Sequence, residues 1–280
     1  MGKVLPKILL ALGLSGCAPA LRQPFFADRT PRNWVCVYSA TASVEDLSRF
    51  DLAVLDGENP PDLQQFGTKK PLLFGYLSLV EVGEWHSYRK QVEDCCPLLG
   101  KNPNWGGAYI DIREPAWHAL VLDNIIPGIL ARGFDGLFLD TVDSAEYLER
   151  YHTKKHPGML QAATRLIRAI RQRYPEVPLL LNRGFALAGA VADAIDGVVA
   201  ESVFVVQQDG APVLNTATAL TNTLDLLRSL QRQGLLILTL DYLPEQDARI
   251  EDVIRRVRAL GFVPYISTQE LDRIFTHTLE

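Results

Sequence analysis

The chain has 280 residues, and its 28 Lys and Arg against 33 Asp and Glu give a formal net charge of −5 at pH 7. Hydrophobic residues make up 48% and charged residues 22%, a balance typical of a folded globular protein and not of a disordered one. The mild negative charge argues against a protein that holds nucleic acid through its phosphates, and the body of the chain contains no apolar run long enough to span a membrane.

The N-terminus has the pattern of a secretory signal. Two lysines precede a short apolar run that ends in Leu14-Ser15-Gly16-Cys17. This tetrapeptide resembles a bacterial lipobox, in which Cys17 becomes the lipidated first residue of the mature protein. We therefore expect residues 1–16 to be a lipoprotein signal peptide and residues 17–32 a lipidated tether. The predicted location is the bacterial cell envelope, with a lipid anchor in the membrane (the outer membrane if the host is Gram-negative).

Beyond the tether, short apolar runs alternate with helical patterns. The runs predict strands at Trp34–Ser39, Leu52–Asp56, Leu72–Leu79, Gly136–Asp140, Pro178–Asn182, Gly197–Glu201, Leu235–Leu240 and Phe262–Ser267. Apolar residues at helical spacing predict helices at Trp117–Arg132, Met159–Tyr174, Ala217–Gln233 and Ala248–Leu260. The strands are almost continuously hydrophobic, as a parallel sheet buried on both faces requires. Strand and helix repeated about eight times predict an α/β fold, a TIM-type (β/α)₈ barrel, as a single domain over residues 33–280.

A doubly wound open sheet is the competing architecture. Such a sheet normally carries a glycine-rich phosphate-binding turn after its first strand. Here the corresponding segment, Ser39-Ala40-Thr41-Ala42-Ser43, contains no glycine. The barrel is therefore the favoured prediction.

Polar and aromatic side chains follow almost every predicted strand, at the end where the catalytic mouth of a barrel lies. One such residue alone is commonly a helix cap or a solvated loop residue. Their recurrence at successive strand ends predicts a single site. The candidates are Tyr38, Asp56, Tyr76, Glu81, Asp140, Asp143, Asn182, Arg183, Glu201, Asp241 and Tyr242.

Asp140 and Glu201 are the strongest catalytic candidates, because each emerges directly from a buried strand. Two carboxylates that face one cavity are the minimum requirement for cleaving a glycosidic bond. Other chemistries fit less well, since the sequence has no Gly-x-Ser-x-Gly elbow and no HExxH metal motif. Carboxyl groups about 5–5.5 Å apart would retain the anomeric configuration and groups about 6.5–9.5 Å apart would invert it. The sequence leaves both outcomes open.

The cysteines predict no structural disulfide or zinc framework. Four cysteines are too few for a disulfide scaffold, and none forms a CxxC pair. Cys36 lies in the first predicted strand and is expected to be a buried core residue. A disulfide from Cys36 to Cys95 or Cys96 stays open, because the predicted compartment is oxidising.

Two segments carry a resemblance to a known family. The pattern Gly75-Tyr-Leu-Ser78 running to Glu81 and Glu84, followed by Gly133-Phe-Asp-Gly-Leu-Phe-Leu-Asp140-Thr-Val-Asp143, resembles endo-α-1,4-polygalactosaminidases, glycoside hydrolase family 114. It is also similar to the related hydrolase domain of the Pel polysaccharide export system, and the resemblance covers most of residues 33–276. It implies a (β/α)₈ barrel that cleaves α-1,4-linked galactosamine and N-acetylgalactosamine polymers, with no cofactor and no metal.

Carried over to this sequence, the resemblance implies Asp140 and Glu201 as the catalytic carboxylates. We expect Asp140 to act as nucleophile or base and Glu201 as general acid, with a pKa raised by apolar neighbours and by the nearby charge. The acidic candidates Glu81, Asp143 and Asp241 would give the mouth a negative potential suited to a cationic amino-sugar polysaccharide. The alternatives are a barrel hydrolase for another α-linked glycan and a non-catalytic glycan-binding or exopolysaccharide-assembly surface lipoprotein.

Overall fold

The computed structural model describes residues 25–151 and 154–279. The predicted signal peptide and Cys17 lie outside the described residues. The strands are β1 (Trp34–Val37), β2 (Leu52–Leu55), β3 (Leu72–Ser78), β4 (Glu81–Val82), β5 (Leu98–Lys101), β6 (Ala108–Ile110), β7 (Gly136–Asp140), β8 (Leu179–Asn182), β9 (Gly197–Glu201), β10 (Val205–Gln208), β11 (Ala211–Leu214), β12 (Leu236–Tyr242) and β13 (Val263–Ser267).

The helices are α1 (Val44–Leu47), α2 (Arg89–Cys95), α3 (Pro115–Leu120), α4 (Ile126–Ala131), α5 (Val142–Tyr151), α6 (Met159–Arg173), α7 (Phe185–Ala188), α8 (Ala217–Arg232) and α9 (Ile250–Ala259). A π-helical turn, Val121–Ile125, joins α3 to α4. Over residues 25–151 and 154–279, no helix has both the length and the apolar character needed to cross a bilayer.

Eight parallel strands form one sheet that curls into a nearly closed barrel. Their order is β1-β2-β3-β7-β8-β9-β12-β13. The indole Nε1 of Trp34 donates to the carbonyl of Val263 at 3.0 Å and so links the first strand to the last. The predicted TIM-type barrel is confirmed, and each predicted barrel strand is present within two residues of its expected bounds.

The strands and helices meet at short turns closed by glycine. Gly133, Gly234 and Gly261 follow α4, α8 and α9 with φ of +104°, +89° and +73°. This left-handed region suits glycine because it has no Cβ. The turns return the chain to the barrel, where strands such as Leu52–Leu55 are fully buried on both faces. The packed core therefore holds the carboxyl ends of all eight strands at the same end of the barrel, around one opening.

Three features were not expected from the sequence. The strands β4, β6 and β5 form a small antiparallel sheet inserted between β3 and β7. The strands β10 and β11 form a hairpin after β9, and its turn residues Asp209 and Gly210 have φ of +51° and +77°. Helix α5 (Val142–Tyr151) was not among the predicted helices, and it places Asp143 in its first turn.

The cysteines of the described residues are free thiols. Cys36 is fully buried in β1, as expected, and Cys95 and Cys96 are vicinal at the end of α2. The disulfide left open by the sequence is therefore absent in this structure. Burial raises the pKa of the Cys36 thiol, so it stays protonated and packs as a small apolar side chain.

Candidate active site

A cavity of about 830 Å³ opens at the carboxyl ends of the barrel strands. The fold brings ten of the eleven candidate residues to its lining. They are Tyr38, Asp56, Tyr76, Glu81, Asp140, Asp143, Asn182, Arg183, Glu201 and Tyr242. Residues far apart in the chain therefore converge because each follows a strand of the same barrel.

Asp241 is the exception, and its expected place in the mouth is corrected. Neighbouring side chains of a strand point to opposite faces, and Tyr242 takes the face that lines the cavity. Asp241 is fully buried, and its Oδ1 accepts the backbone N–H groups of Phe204 and Val205, each at 2.8 Å. Its role here is to hold the base of the β10–β11 hairpin against β12.

Three adjacent barrel strands supply the centre of the site. β7, β8 and β9 end in Asp140, Asn182 and Glu201, respectively. The Nδ2 atom of Asn182 donates to Asp140 Oδ1 at 2.7 Å and to Glu201 Oε1 at 2.6 Å. Because both bonds share one nitrogen, the two carboxylate oxygens lie no farther apart than the sum of 2.7 Å and 2.6 Å, about 5.3 Å. The two acids therefore form one bridged pair.

Each of these three residues is followed by a residue whose backbone adopts the left-handed conformation. Thr141, Arg183 and Ser202 have φ of +62°, +54° and +54°. This conformation is unusual for residues with a Cβ, above all for β-branched threonine, and such strain is concentrated at functional sites. The Thr141 hydroxyl accepts the Val80 N–H at 2.9 Å and donates to the carbonyl of Asp140 at 2.7 Å. These bonds hold the abrupt turn that directs the preceding side chain into the cavity.

The environment raises the pKa of both acids. For Glu201 the main cause is burial, followed by the negative charge of Asp140, while hydrogen bonds from Asn182 and Tyr242 oppose the rise. For Asp140 the main cause is again burial, and hydrogen bonds from Asn182, the backbone of Thr141 and the Tyr76 hydroxyl oppose it. A pair of buried carboxyls that repel each other as anions favours the state with one proton.

A third acid lies in the wall built by the small sheet. Glu81 is buried, accepts a hydrogen bond from Asn102 Nδ2 at 2.8 Å and another from the Ser144 hydroxyl. Burial is also the main cause of its raised pKa. Near it, Asp143 forms an ion pair with Arg183 at 3.0 Å, so the Arg183 guanidinium offsets part of the acidic charge.

Aromatic rings and a carboxylate-capped turn complete the lining. Tyr38 and Tyr76 meet edge to face, with ring centroids 5.2 Å apart. Asp56 accepts the backbone N–H groups of Glu58 and Asn59 at 2.7 and 2.9 Å, so one of its oxygens shapes the loop after β2. In the described part of the chain, no cluster of three or more His, Cys, Asp or Glu side chains is arranged to hold a metal ion.

Several lining residues were not predicted because they lie in the segment inserted between β3 and β7, mostly in its loops, or on α5, and not at barrel strand ends. They are His86, Tyr88, Asn102, Trp105, Tyr109, Ser144 and Tyr147. A signal was present in Asn102-Pro-Asn-Trp-Gly-Gly107, where turn-forming residues surround an exposed tryptophan. The His86 ring is fixed, since its Nδ1 accepts the Gly83 N–H at 2.9 Å and its proton therefore resides on Nε2.

Sequence comparison connects the chain to one family. The profile of glycoside-hydrolase family GH114 matches residues 18–280. Uncharacterised proteins of Deinococcus radiodurans and Thermotoga maritima are 26% and 23% identical, over 72% and 86% of this chain. The matched regions span 66% of the Deinococcus protein and 81% of the Thermotoga protein.

Solved structures show the same barrel. The glycoside hydrolase domain of PelA from Pseudomonas aeruginosa aligns with a TM-score of 0.75 and 25% identity, over 86% of this chain and 96% of that domain. Ega3 from Aspergillus fumigatus, solved in complex with galactosamine, aligns with a TM-score of 0.63 and 14% identity, over 86% and 92% of the two chains. At 14% identity, the similarity to Ega3 shows a shared fold.

Proposed function

Because this chain belongs to glycoside-hydrolase family GH114, we propose that it cleaves internal bonds of α-1,4-linked galactosamine and N-acetylgalactosamine polymers. The observation that carries the proposal is the Asp140–Asn182–Glu201 bridge at the barrel mouth. A protein that only binds a cationic glycan needs aromatic and acidic contacts, but it does not need two buried carboxyls that are joined by one amide and have raised pKa values. The paired acids therefore favour turnover over the non-catalytic alternative.

The separation of the acids supports a retaining double displacement. The bridge limits the distance between one oxygen of Asp140 and one of Glu201 to at most about 5.3 Å. An approach this close favours the retaining arrangement, with carboxyl groups about 5–5.5 Å apart, over the inverting one, with groups about 6.5–9.5 Å apart. In the first step, an oxygen of Asp140 bonds to the anomeric carbon while the glycosidic bond breaks and Glu201 gives its proton to the leaving oxygen. In the second, a water oxygen replaces Asp140 at that carbon and the water proton returns to Glu201.

The surroundings of each acid support this division of roles. Glu201 retains its proton more readily because burial and the Asp140 charge both raise its pKa. Asp140 accepts hydrogen bonds from Asn182, the Thr141 backbone and Tyr76, and these bonds stabilise its anion against burial and the Asp143 charge, which raise its pKa. Its fixed direction at the end of β7 favours attack on a carbon held between the two carboxyls.

The charge of the cavity favours a cationic amino sugar. Asp56, Glu81 and Asp143 line the same cavity as the catalytic pair. A concentration of carboxylates attracts the ammonium groups of a deacetylated galactosamine polymer and repels acidic glycans. Ega3, which shares the fold, is known with galactosamine bound, and this agrees with the same substrate class here.

Product analysis tests the proposal. The parent protein is incubated with partly deacetylated α-1,4-galactosamine polymer and, in parallel, with a β-1,4-glucosamine polymer. We expect a rapid fall in mean chain length with mixed oligosaccharides from the first substrate only. Exclusive release of monosaccharide would refute internal cleavage, and equal attack on both polymers would refute the substrate assignment.

Substitution of the paired acids tests the mechanism. Asp140→Asn and Glu201→Gln preserve shape but remove the nucleophile and the proton donor. Each is expected to lower kcat on the galactosamine polymer by about 10²–10⁴-fold. Parent-like turnover by both variants, with unchanged circular dichroism, would refute the two-carboxylate mechanism.

We also propose the envelope anchor implied by the lipobox-like sequence. In a bacterial host fed a labelled fatty acid, the parent chain should carry the label and fractionate with membranes. The Cys17→Ser chain should lose both properties. Label retained by the Cys17→Ser chain would contradict lipidation at this cysteine.

A further inference from the structure

Exposed aromatic side chains are concentrated on one rim of the catalytic cavity. In the described residues, the exposed large hydrophobic side chains are Trp85, Trp105, Tyr147, Tyr151 and Leu214. The first three line the cavity, and the ring centroid of Tyr151 lies 5.3 Å from that of Tyr147. Such a concentration of exposed apolar rings is typical of a binding surface.

The two tryptophans leave the same end of the inserted sheet. β4 and β6 are antiparallel, with Val82 opposite Ala108. Trp85 follows Val82 by three residues, and Trp105 precedes Ala108 by three residues. The topology therefore presents both indoles together at that end. Their exposed fractions are 68% and 61%, although both belong to the cavity wall.

Local packing holds the Trp85 ring in place. The indole lies so close to Gly83 that a Cβ on that residue would overlap it. On the same segment, the Trp85 and His86 rings are 5.5 Å apart at an interplanar angle of 30°. The ring is thus supported by its own loop while most of its surface stays in solvent. A supported ring loses little conformational entropy when a ligand stacks on it.

Three tyrosines continue the rim towards solvent. The Tyr109 and Tyr147 ring centroids are 6.0 Å apart, and those of Tyr147 and Tyr151 are 5.3 Å apart. The exposed fraction rises along this series from 6% to 40% to 68%. Tyr147 and Tyr151 are four residues apart on α5 and so share one helix face. The rings form a ladder that begins beside Glu81, which is opposite Tyr109 in the sheet register.

We propose that this aromatic band (Trp85, Trp105, Tyr109, Tyr147 and Tyr151) binds amino-sugar residues of the polysaccharide at a distance from the cleaved bond. The inference rests on the proposed function, because the band is continuous with the catalytic cavity. The apolar face of a sugar ring packs on an aromatic face, and the negative face of the ring attracts an ammonium group. The band thereby makes affinity depend on chain length.

Binding is measured without turnover in the Glu201→Gln background. The probes are a partly deacetylated α-1,4-galactosamine polymer and the corresponding trisaccharide. Trp105→Ala and Tyr151→Ala should each lower the ratio of polymer affinity to trisaccharide affinity about three- to fivefold. The double variant should lower it about tenfold or more if the two rings act independently. Tyr151→Phe keeps the ring and should keep the ratio.

Leu214→Ala is the matched control, since Leu214 is 55% exposed but lies on the β11 strand outside the cavity lining. It should leave both affinities at the level of the background. A ratio unchanged by Trp105→Ala and Tyr151→Ala would overturn the inference. This outcome includes the case in which the two variants lower the affinities for polymer and trisaccharide by the same factor. A parent that never cleaves the polymer, but binds it through these rings, would overturn the proposed function and leave the band intact.

Discussion

Asn182→Ala removes the amide that bridges the catalytic acids. A hydrogen bond to a charged group contributes about 1.5–3 kcal/mol, and one pKa unit corresponds to about 1.36 kcal/mol. Loss of the donor disfavours the anion of each acid, so each pKa rises. Water that enters the vacated space restores part of the lost hydrogen-bond energy. We therefore expect the pKa of each acid to rise by about one unit. Because Nδ2 contacts both Asp140 and Glu201, both limbs of the pH profile should move.

The assay is kcat/KM on the galactosamine polymer between about pH 4 and pH 9. The rising limb follows ionisation of the nucleophile and the falling limb follows loss of the acid proton, so the whole bell should shift to higher pH. Asn215→Ala is the control, because its amide donates to the Val203 carbonyl at 3.1 Å and touches neither acid. The amine of the substrate titrates alike for all variants. If both limbs of the kcat/KM profile of Asn182→Ala lie at the same pH as in the parent, the bridging role of Asn182 is refuted.

Two further predictions concern packing and buried charge. Gly107→Ala should lower kcat/KM about tenfold, because the added Cβ would come within 2.7 Å of Glu81 Oε2 and displace the Glu81 carboxylate. Gly189→Ala is the control, because a Cβ at that position meets open space. Asp241 has a pKa raised by burial to about 6. The folded state therefore holds more protons than the unfolded state between about pH 4 and pH 6, and stability falls as the pH rises, by up to about 3 kcal/mol. In urea unfolding, Asp241→Asn should remove the contribution of Asp241, so that the free energy of unfolding falls less between about pH 4 and pH 6 than in the parent; an unchanged slope would contradict this.

The barrel was predictable because every strand is buried on both faces and therefore reads as an apolar run. The same logic placed Asp140 and Glu201 at the mouth, since each ends such a run. It failed for Asp241, because a strand end specifies position along the barrel but not which face a side chain takes. There the alternation along β12 gives the cavity to Tyr242 and directs Asp241 to the hairpin.

The inserted elements were harder to predict because their strands are short and show no regular alternation of buried and exposed residues. β4 has two residues and β5 carries mixed polar and apolar side chains, so neither has a clear period. The hairpin had a usable signal, since Asp209-Gly210 suits a two-residue turn with positive φ at both positions. The bridging role of Asn182 depends on interatomic distances that no sequence pattern encodes.

The most direct test of the paired-acid account is mass spectrometry of the Glu201→Gln protein after reaction with α-galactosaminyl fluoride. Fluoride leaves without help from an acid, while hydrolysis of the glycosyl-enzyme lacks its base and should be slow. The account predicts a mass gain of one galactosaminyl group on the peptide that carries Asp140. Continued fluoride release from protein whose Asp140 peptide stays unmodified would contradict it.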